Sequence, residues 1–228
     1  MKKVLVGMSG GVDSTISTLI LQADGYEVEG LYMKLHSKPG YHEIHQARAQ
    51  KAANRLGVKL HVLDLQEVFK KEVFQPFIDT YEKGKTPNPC ALCNRTMKFG
   101  EMIDFADKIG ADYLATGHYI KTDGQYFYQA EDDTKDQSYF LFYVNKDILP
   151  RLLFPLGSKQ KSDIKTMAAS IKGLESFSSQ AESSEICFVE TTYTDLLKDY
   201  VDIDNVGEVL DKDGNIVGEH KGYMHYTI

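Results

Sequence analysis

The chain opens on an apolar run, Val4-Leu5-Val6-Gly7-Met8, that breaks into Ser9-Gly10-Gly11-Val12-Asp13-Ser14. The pattern predicts a buried strand from Lys3 to Met8, a tight turn at Gly10-Gly11, and a helix from about Asp13 to Asp24 with Gly25 just past its end. Tyr26 to Met33 alternates apolar and polar positions as a second strand does. A polar break at Lys38-Pro39-Gly40 leads to a helix from about Tyr41 to Leu56, stopped by Gly57. Val58 to Asp64 reads as a third strand and Gln66 to about Tyr81 as another helix. After a proline-rich loop come a helix from about Thr96 to Ile109 and a short fourth strand, Tyr113 to His118. Strands and helices in alternation predict a parallel sheet covered by helices on both faces.

The later pattern is weaker. Asp123-Gly124 predicts a hairpin turn between residues 119–121 and 126–128. The run Lys135 to Leu141 begins polar and ends apolar, as a capped helix does, and Ser162 to about Ile171 predicts a helix followed by Gly173. From about Thr191 the character changes: a short helix to Val201, then Gly207 to Leu210, a turn over Asp211 to Asn215, and Ile216 to Glu219. This small β element sets a boundary near residue 192 and divides the chain into residues 1–192 and 193–228. It is too small to hold its own core, so the chain reads as a fragment.

With 228 residues the chain has room for one large domain, or one and part of another, with a sizeable core. No apolar stretch reaches membrane-spanning length and the first strand begins without a signal peptide, so a cytoplasmic location away from membranes is expected. Three cysteines do not make a disulfide scaffold, which leaves catalytic, redox or merely buried thiols. A formal net charge of −7 gives no general affinity for nucleic acid, so any such contact must come from a local basic patch.

The glycine pair at the end of the first strand permits positive φ and leaves no Cβ between backbone N–H groups and a ligand. With the free donors of the helix start, these N–H groups make a pocket for an anion, although an ordinary strand-to-helix turn would look similar. Ser9 and Ser14 add hydroxyls, and Asp13 is placed to reach Mg²⁺. The loop lacks both the Gly-x-x-x-x-Gly-Lys-Ser/Thr and Gly-x-Gly-x-x-Gly patterns. Met33, at a strand's carboxyl end, is by default a core methionine and alternatively an adenine contact.

Cys90-Ala91-Leu92-Cys93 falls close to a helix start beside Arg95 and Lys98, surroundings expected to favour thiolate. Zinc would need two further ligands that no second motif supplies, so reactive thiols are favoured over metal. A thioredoxin-like pair is the other alternative. Cys187, between apolar residues, reads alone as a buried hydrophobe, and Glu182 and Glu185 would oppose its ionisation. His118 is structural or functional in equal measure, and Lys135-Asp136-Gln137 is a solvated turn on pattern alone. Lys159, Lys161, Lys165 and Lys172 read first as a solvated basic face.

The Ser9-Gly10-Gly11-Val12-Asp13-Ser14 loop resembles the pyrophosphate loop of the ATP pyrophosphatase superfamily, which cleaves ATP between its α and β phosphates. With Thr86-Pro87-Asn88-Pro89, Cys93-Asn94, Ala115-Thr116-Gly117-His118-Tyr119, Lys135-Asp136-Gln137-Ser138-Tyr139 and Ile186-Cys187-Phe188, the whole chain resembles the tRNA-specific 2-thiouridylase family. The resemblance implies a three-layer α/β PP-loop domain of the adenine-nucleotide α-hydrolase type, followed by part of a small central β domain. The family continues past a Tyr-Thr-Ile/Leu-Gly-Gln-Arg segment into a β-barrel, and this chain stops inside that segment at Tyr226-Thr227-Ile228.

Several roles follow from the resemblance. Gly7, Met8, Ser9, Gly10, Gly11, Val12, Asp13, Ser14, Met33 and Gly117 would bind ATP, with Mg²⁺. Asn88, Pro89 and Cys90 would face the target base, and His118, Lys135, Asp136 and Gln137 would contact tRNA. Cys187 would carry a persulfide sulfur received from a donor protein, with Cys93 as its disulfide partner. Cys90 stands where many members carry aspartate and is left outside the catalytic pair. The implied activity is 2-thiolation of the wobble uridine of tRNA, with AMP and pyrophosphate as products. The alternatives are a superfamily enzyme that adenylates a small metabolite, and a nucleotide- or tRNA-binding module without chemistry.

Overall fold

The computed structural model describes residues 1–179, 186–189 and 191–226. Strands β1 (Lys3–Gly7), β2 (Glu27–Lys34), β3 (Leu60–Asp64) and β4 (Tyr113–Ala115) match the sequence reading closely, β4 ending three residues early. Helices α1 (Val12–Ala23) and α2 (Tyr41–Leu56) do likewise. A third helix, α3, runs over residues 66–82, with a π-helical turn at Lys70–Phe74. The fourth, α4, spans residues 89–108 and begins at Pro89, well before the expected Thr96, because Asn88 caps it: Ala91 N–H donates to Asn88 Oδ1 at 3.0 Å.

Strands β5 (Lys121–Thr122) and β6 (Phe127–Tyr128) form the expected hairpin, stabilised by Gln125 and Tyr126 N–H groups donating to Asp123. The expected helix from Lys135 is instead a loop with one 3₁₀ turn, Ser138–Phe140, because Asp136 binds backbone on both sides of itself. A fifth core strand, β7 (Leu152–Leu153), went unpredicted: two residues are too few to show a period. Helix α5 (Lys161–Ser170) follows.

The sheet order is β3-β2-β1-β4-β7, and every pairing is parallel. Val4, Val6 and Met8 face α1, α2 and α5, while Leu5 and Leu114 face Met102, Ile103 and Ala106 of α4, which makes three layers. A third apolar cluster joins Phe69, Phe77 and Tyr81 of α3 to Cys93, Met97 and Phe188, and takes in Leu197, Ile203 and Met224 from the C-terminal stretch. Strands β8 (Gly207–Leu210) and β9 (Ile216–His220) pair as a separate hairpin. Among the described residues no helix is long and apolar enough to cross a membrane.

Of the two loop glycines only Gly10 has positive φ (82°); Gly11 is extended at −96°, so the turn needs left-handed backbone once rather than twice. A Cβ on Gly10 would lie 2.8 Å from His45 O and 2.9 Å from Arg48 Cβ, whereas one on Gly11 would meet only Ser9 Oγ at 3.4 Å. Gly10→Ala is expected to lower the urea-denaturation free energy by about 2 kcal/mol or more, from left-handed strain and backbone collision together. Gly11→Ala should stay within about 0.5 kcal/mol.

Candidate functional site

The strand order reverses between β1 and β4: from β1 the sheet grows through β2 and β3 on one side, then through β4 and β7 on the other. Ligands of such sheets collect at the carboxyl ends beside that reversal. The loop from Gly7 to Ser14 leaves β1 there, and Thr116-Gly117-His118 leaves β4 next to it. A Cβ on Gly117 would sit 3.0 Å from Asp13 Cβ and Ser14 N, so only glycine lets this turn lie against the first turn of α1.

No side chain caps α1 at Gly11. Its N-terminal dipole is therefore open to an anion. Ser9 and Ser14 hydroxyls stand 3.5 Å apart at this end, Ser14 also donating to Gly11 O. Met8 and Val12 are buried and anchor the two sides of the loop. Met33, at the end of β2, packs against two of the apolar clusters.

Asp13 is the loop's acidic member, and its carboxylate is engaged. Lys161 Nζ lies 2.6 Å from both oxygens, and Tyr119 OH donates to Oδ1 at 2.9 Å. Lys161 is buried at the start of α5, where its N–H donates to Asp132. Sequence reading placed it on a solvated basic face; the structure makes it the ion-pair partner of the phosphate loop. The only signal was its position at a helix start, which does not reveal a partner so distant in the chain. Mg²⁺ at Asp13 would have to compete with Lys161, and no cluster of three or more potential metal ligands occurs among the described residues.

The cysteines gather at the same edge. Cys90 is half-buried and Cys93 buried on the first turns of α4. Ile186 and Phe188, the neighbours of Cys187, pack into the cluster that contains Cys93, and Cys187 interacts electrostatically with Cys93 and Cys90. The structure thus brings all three thiols together. Cys187 is not the buried hydrophobe expected of it: one side is open to solvent while protein crowds the rest.

The expected thiolate-favouring surroundings are overturned. Burial raises the pKa of Cys90 and Cys93, and Lys98 only partly opposes it. Cys187 is pushed up to about 12, first by burial and then by Cys93. Low dielectric penalises the ion more than one nearby cation repays. Glu182 and Glu185, expected to act on Cys187, lie outside the described residues.

The remaining sequence-predicted residues surround this edge. Asn88 is exposed and Pro89 buried at the start of α4. Asn94, next to Cys93, donates to Phe140 O and leaves its buried Oδ1 without a partner, an acceptor open to a ligand N–H. His118 is buried, bonded to Thr116 Oγ1 at 2.7 Å and to Lys98 Nζ at 3.3 Å. Gln137 clamps Tyr119 through both its Oε1 and its own N–H, and Asp136 accepts from Ala130, Ser138 N–H and Ser138 Oγ. Both therefore shape the rim; Lys135 sits beside them, half-buried.

A sequence model described as "tRNA methyl transferase HUP domain" matches residues 2–191. The tRNA-specific 2-thiouridylase MnmA of Sulfurimonas denitrificans is 77% identical over 100% of this chain and 67% of its own length. That of Nitratiruptor sp. is 56% identical over the same shares. The chain thus spans about two thirds of the length of these relatives. Among solved structures, a 4-thiouridine synthetase in complex with RNA and ATP shares the fold, with a TM-score of 0.51 at 19% identity over 82% of this chain and 45% of that one.

Removing the Lys161 charge leaves Asp13 uncompensated where an anion is to bind. Lys161→Met is expected to weaken binding of a non-hydrolysable ATP analogue at least about tenfold by calorimetry, with Lys161→Arg intermediate. An unchanged dissociation constant would place the polyphosphate away from this pair.

Proposed function

The chain belongs to the tRNA-specific 2-thiouridylase family, and from that premise we propose that it performs the sulfur-transfer chemistry of tRNA 2-thiolation. One observation carries the reading: the carboxyl-end rim joins an uncapped helix start to thiols from two distant parts of the chain. Nucleotide activation and sulfur delivery both need that rim.

In this reading the polyphosphate of ATP lies on the Gly7 to Ser14 loop, with Met33 and Gly117 beside the nucleoside. Mg²⁺ would arrive on the phosphates, since Lys161 and Tyr119 already hold Asp13. Uridine O2 is a poor leaving group; once it takes the adenylyl group, pyrophosphate departs and the oxygen can leave with AMP. The terminal sulfur of a Cys187 persulfide, loaded by a donor protein, attacks C2 and displaces AMP. Cys93 thiolate then attacks the Cys187 sulfur. The new sulfur leaves on uridine, a Cys93–Cys187 disulfide remains, and a thiol reductant reopens it.

Asn88 and Pro89, beside Cys90 at the start of α4, would frame the target base, while Lys135, Asp136 and Gln137 present the RNA-facing rim together with His118. The raised thiol pKa values fit a resting state protected from oxidation, with attack gated by substrate-induced changes in solvation.

The test incubates the protein with ATP, Mg²⁺, a persulfide source and unmodified tRNA, following nucleotides and digested nucleosides by mass spectrometry. AMP and 2-thiouridine should form together. Cys187→Ser should abolish the thionucleoside, and Cys93→Ser should reduce multiple-turnover formation by at least about a hundredfold. AMP without thiouridine would move the substrate elsewhere, and ADP as the product would overturn the phosphate-loop assignment.

A further inference from the structure

Helix α4 departs from α geometry where it passes the thiols: Asn94–Glu101 is π-helical. Its backbone bonds reach five residues rather than four, which widens the turn and brings the side chain at i+5 nearer to that at i than an α-helix does. Lys98 therefore returns to the face of α4 that carries Cys93, a face from which a regular helix of 3.6 residues per turn would rotate it away. Lys98 is within electrostatic reach of Cys90, Cys93 and Cys187 alike.

The ammonium is also aimed. His118 is buried and stays neutral, its pKa held well below the ordinary value by burial and then by Lys98 itself. Its Nε2 accepts from Lys98 Nζ at 3.3 Å, leaving Nδ1–H to donate to Thr116 Oγ1 at 2.7 Å. Thr116 begins the turn after β4, so the central sheet fixes the imidazole and the imidazole fixes the lysine. Among the described residues no carboxylate forms an ion pair with Lys98. Among the described residues the other charged or titratable groups near this edge include Tyr41, which senses Cys187 and Arg48, and His45, which senses Arg48, His42 and Lys38. Arg48 and Lys38 thus act on the α2 side, and among the described residues Lys98 is the cation that acts on all three thiols.

We propose that Lys98, carried to the thiol face by the π-helical turn and held there by His118, is the shared cation that stabilises the thiolate forms of Cys90, Cys93 and Cys187. When a thiol yields its proton to solvent base, the ammonium stays protonated and offsets the new charge; no electrons change hands. His118 is then a positioning residue for Lys98. The assignment rests on the sulfur-transfer reading for its purpose. Thiol ionisation, however, is read without nucleotide, RNA or turnover, so either can fail alone.

The experiment measures the rate of iodoacetamide modification at each cysteine by peptide mass spectrometry, from pH 7 to 10, in the wild type, Lys98→Met, Lys98→Gln and Lys98→Arg. Thermal melting serves as the folding control. Both neutral variants should slow modification of Cys187 and Cys93 by about threefold or more, corresponding to about half a pKa unit, and for Cys187 the ratio should hold across this range because the thiol titrates above it. Lys98→Arg should restore most of the rate. His118→Gln should give an intermediate loss. Rates in folded neutral variants that match the wild type at every pH, or a Lys98→Arg protein as slow as Lys98→Met, would overturn the assignment. If Lys98→Met does not fold, Lys98→Gln decides by the same criteria.

Discussion

The contact between Asp13 and Lys161 is the interaction around which the site is arranged. One carboxylate at the start of α1 receives the ammonium that opens α5 and the phenol of Tyr119 from beyond β4. Asp132 fixes the backbone of Lys161 in turn. Three segments from distant parts of the chain thus meet at a single acidic residue, beside a helix start that no side chain caps. A bare carboxylate there would repel an anion; neutralised by Lys161, it leaves the uncapped helix start able to receive one.

A second constraint runs the other way. Cys93 gains a dry, packed environment from the cluster built on α3, Met97 and Phe188, and the same packing suppresses its ionisation. Burial that protects a sulfur nucleophile must be offset locally for attack, and the charge this site offers for it is that of Lys98. The π-helical turn of α4 carries little cost in packing, since Met97 and Phe99 stay buried on it, yet it changes which side chain stands over Cys93.

The rim is assembled largely from residues whose polar groups serve the backbone. Asp136, Gln137 and Asn88 all spend side-chain bonds on shaping loops. A residue can hold a rim in place and present it to RNA at once, because one carboxylate or amide has more lone pairs and donors than a single loop contact uses.

Sequence periodicity determined the sheet and its main helices. Val4 to Met8, the alternation in β2, and the polar break and glycine stop that bound α2 each mark an element by local signal alone. It also placed a glycine turn at Gly10-Gly11 between the first strand and helix, and motif resemblance singled out Cys93 and Cys187 as candidates. What it missed were features whose cause lies elsewhere in the chain. The two-residue strand β7 exists only because β4 offers it an edge. The loop after Lys135 is a loop because Asp136 has Ala130 to bind. Lys161 reads as a surface charge until tertiary folding brings Asp13 to it. The thiol pKa values turn first on burial, which depends on packing of α3 and Phe188 against Cys93, and Lys98 opposes it only in part. Local pattern fixes what a segment can bury; only the assembled fold decides which charge meets which, because electrostatics acts across space and desolvation exists only once the core has closed.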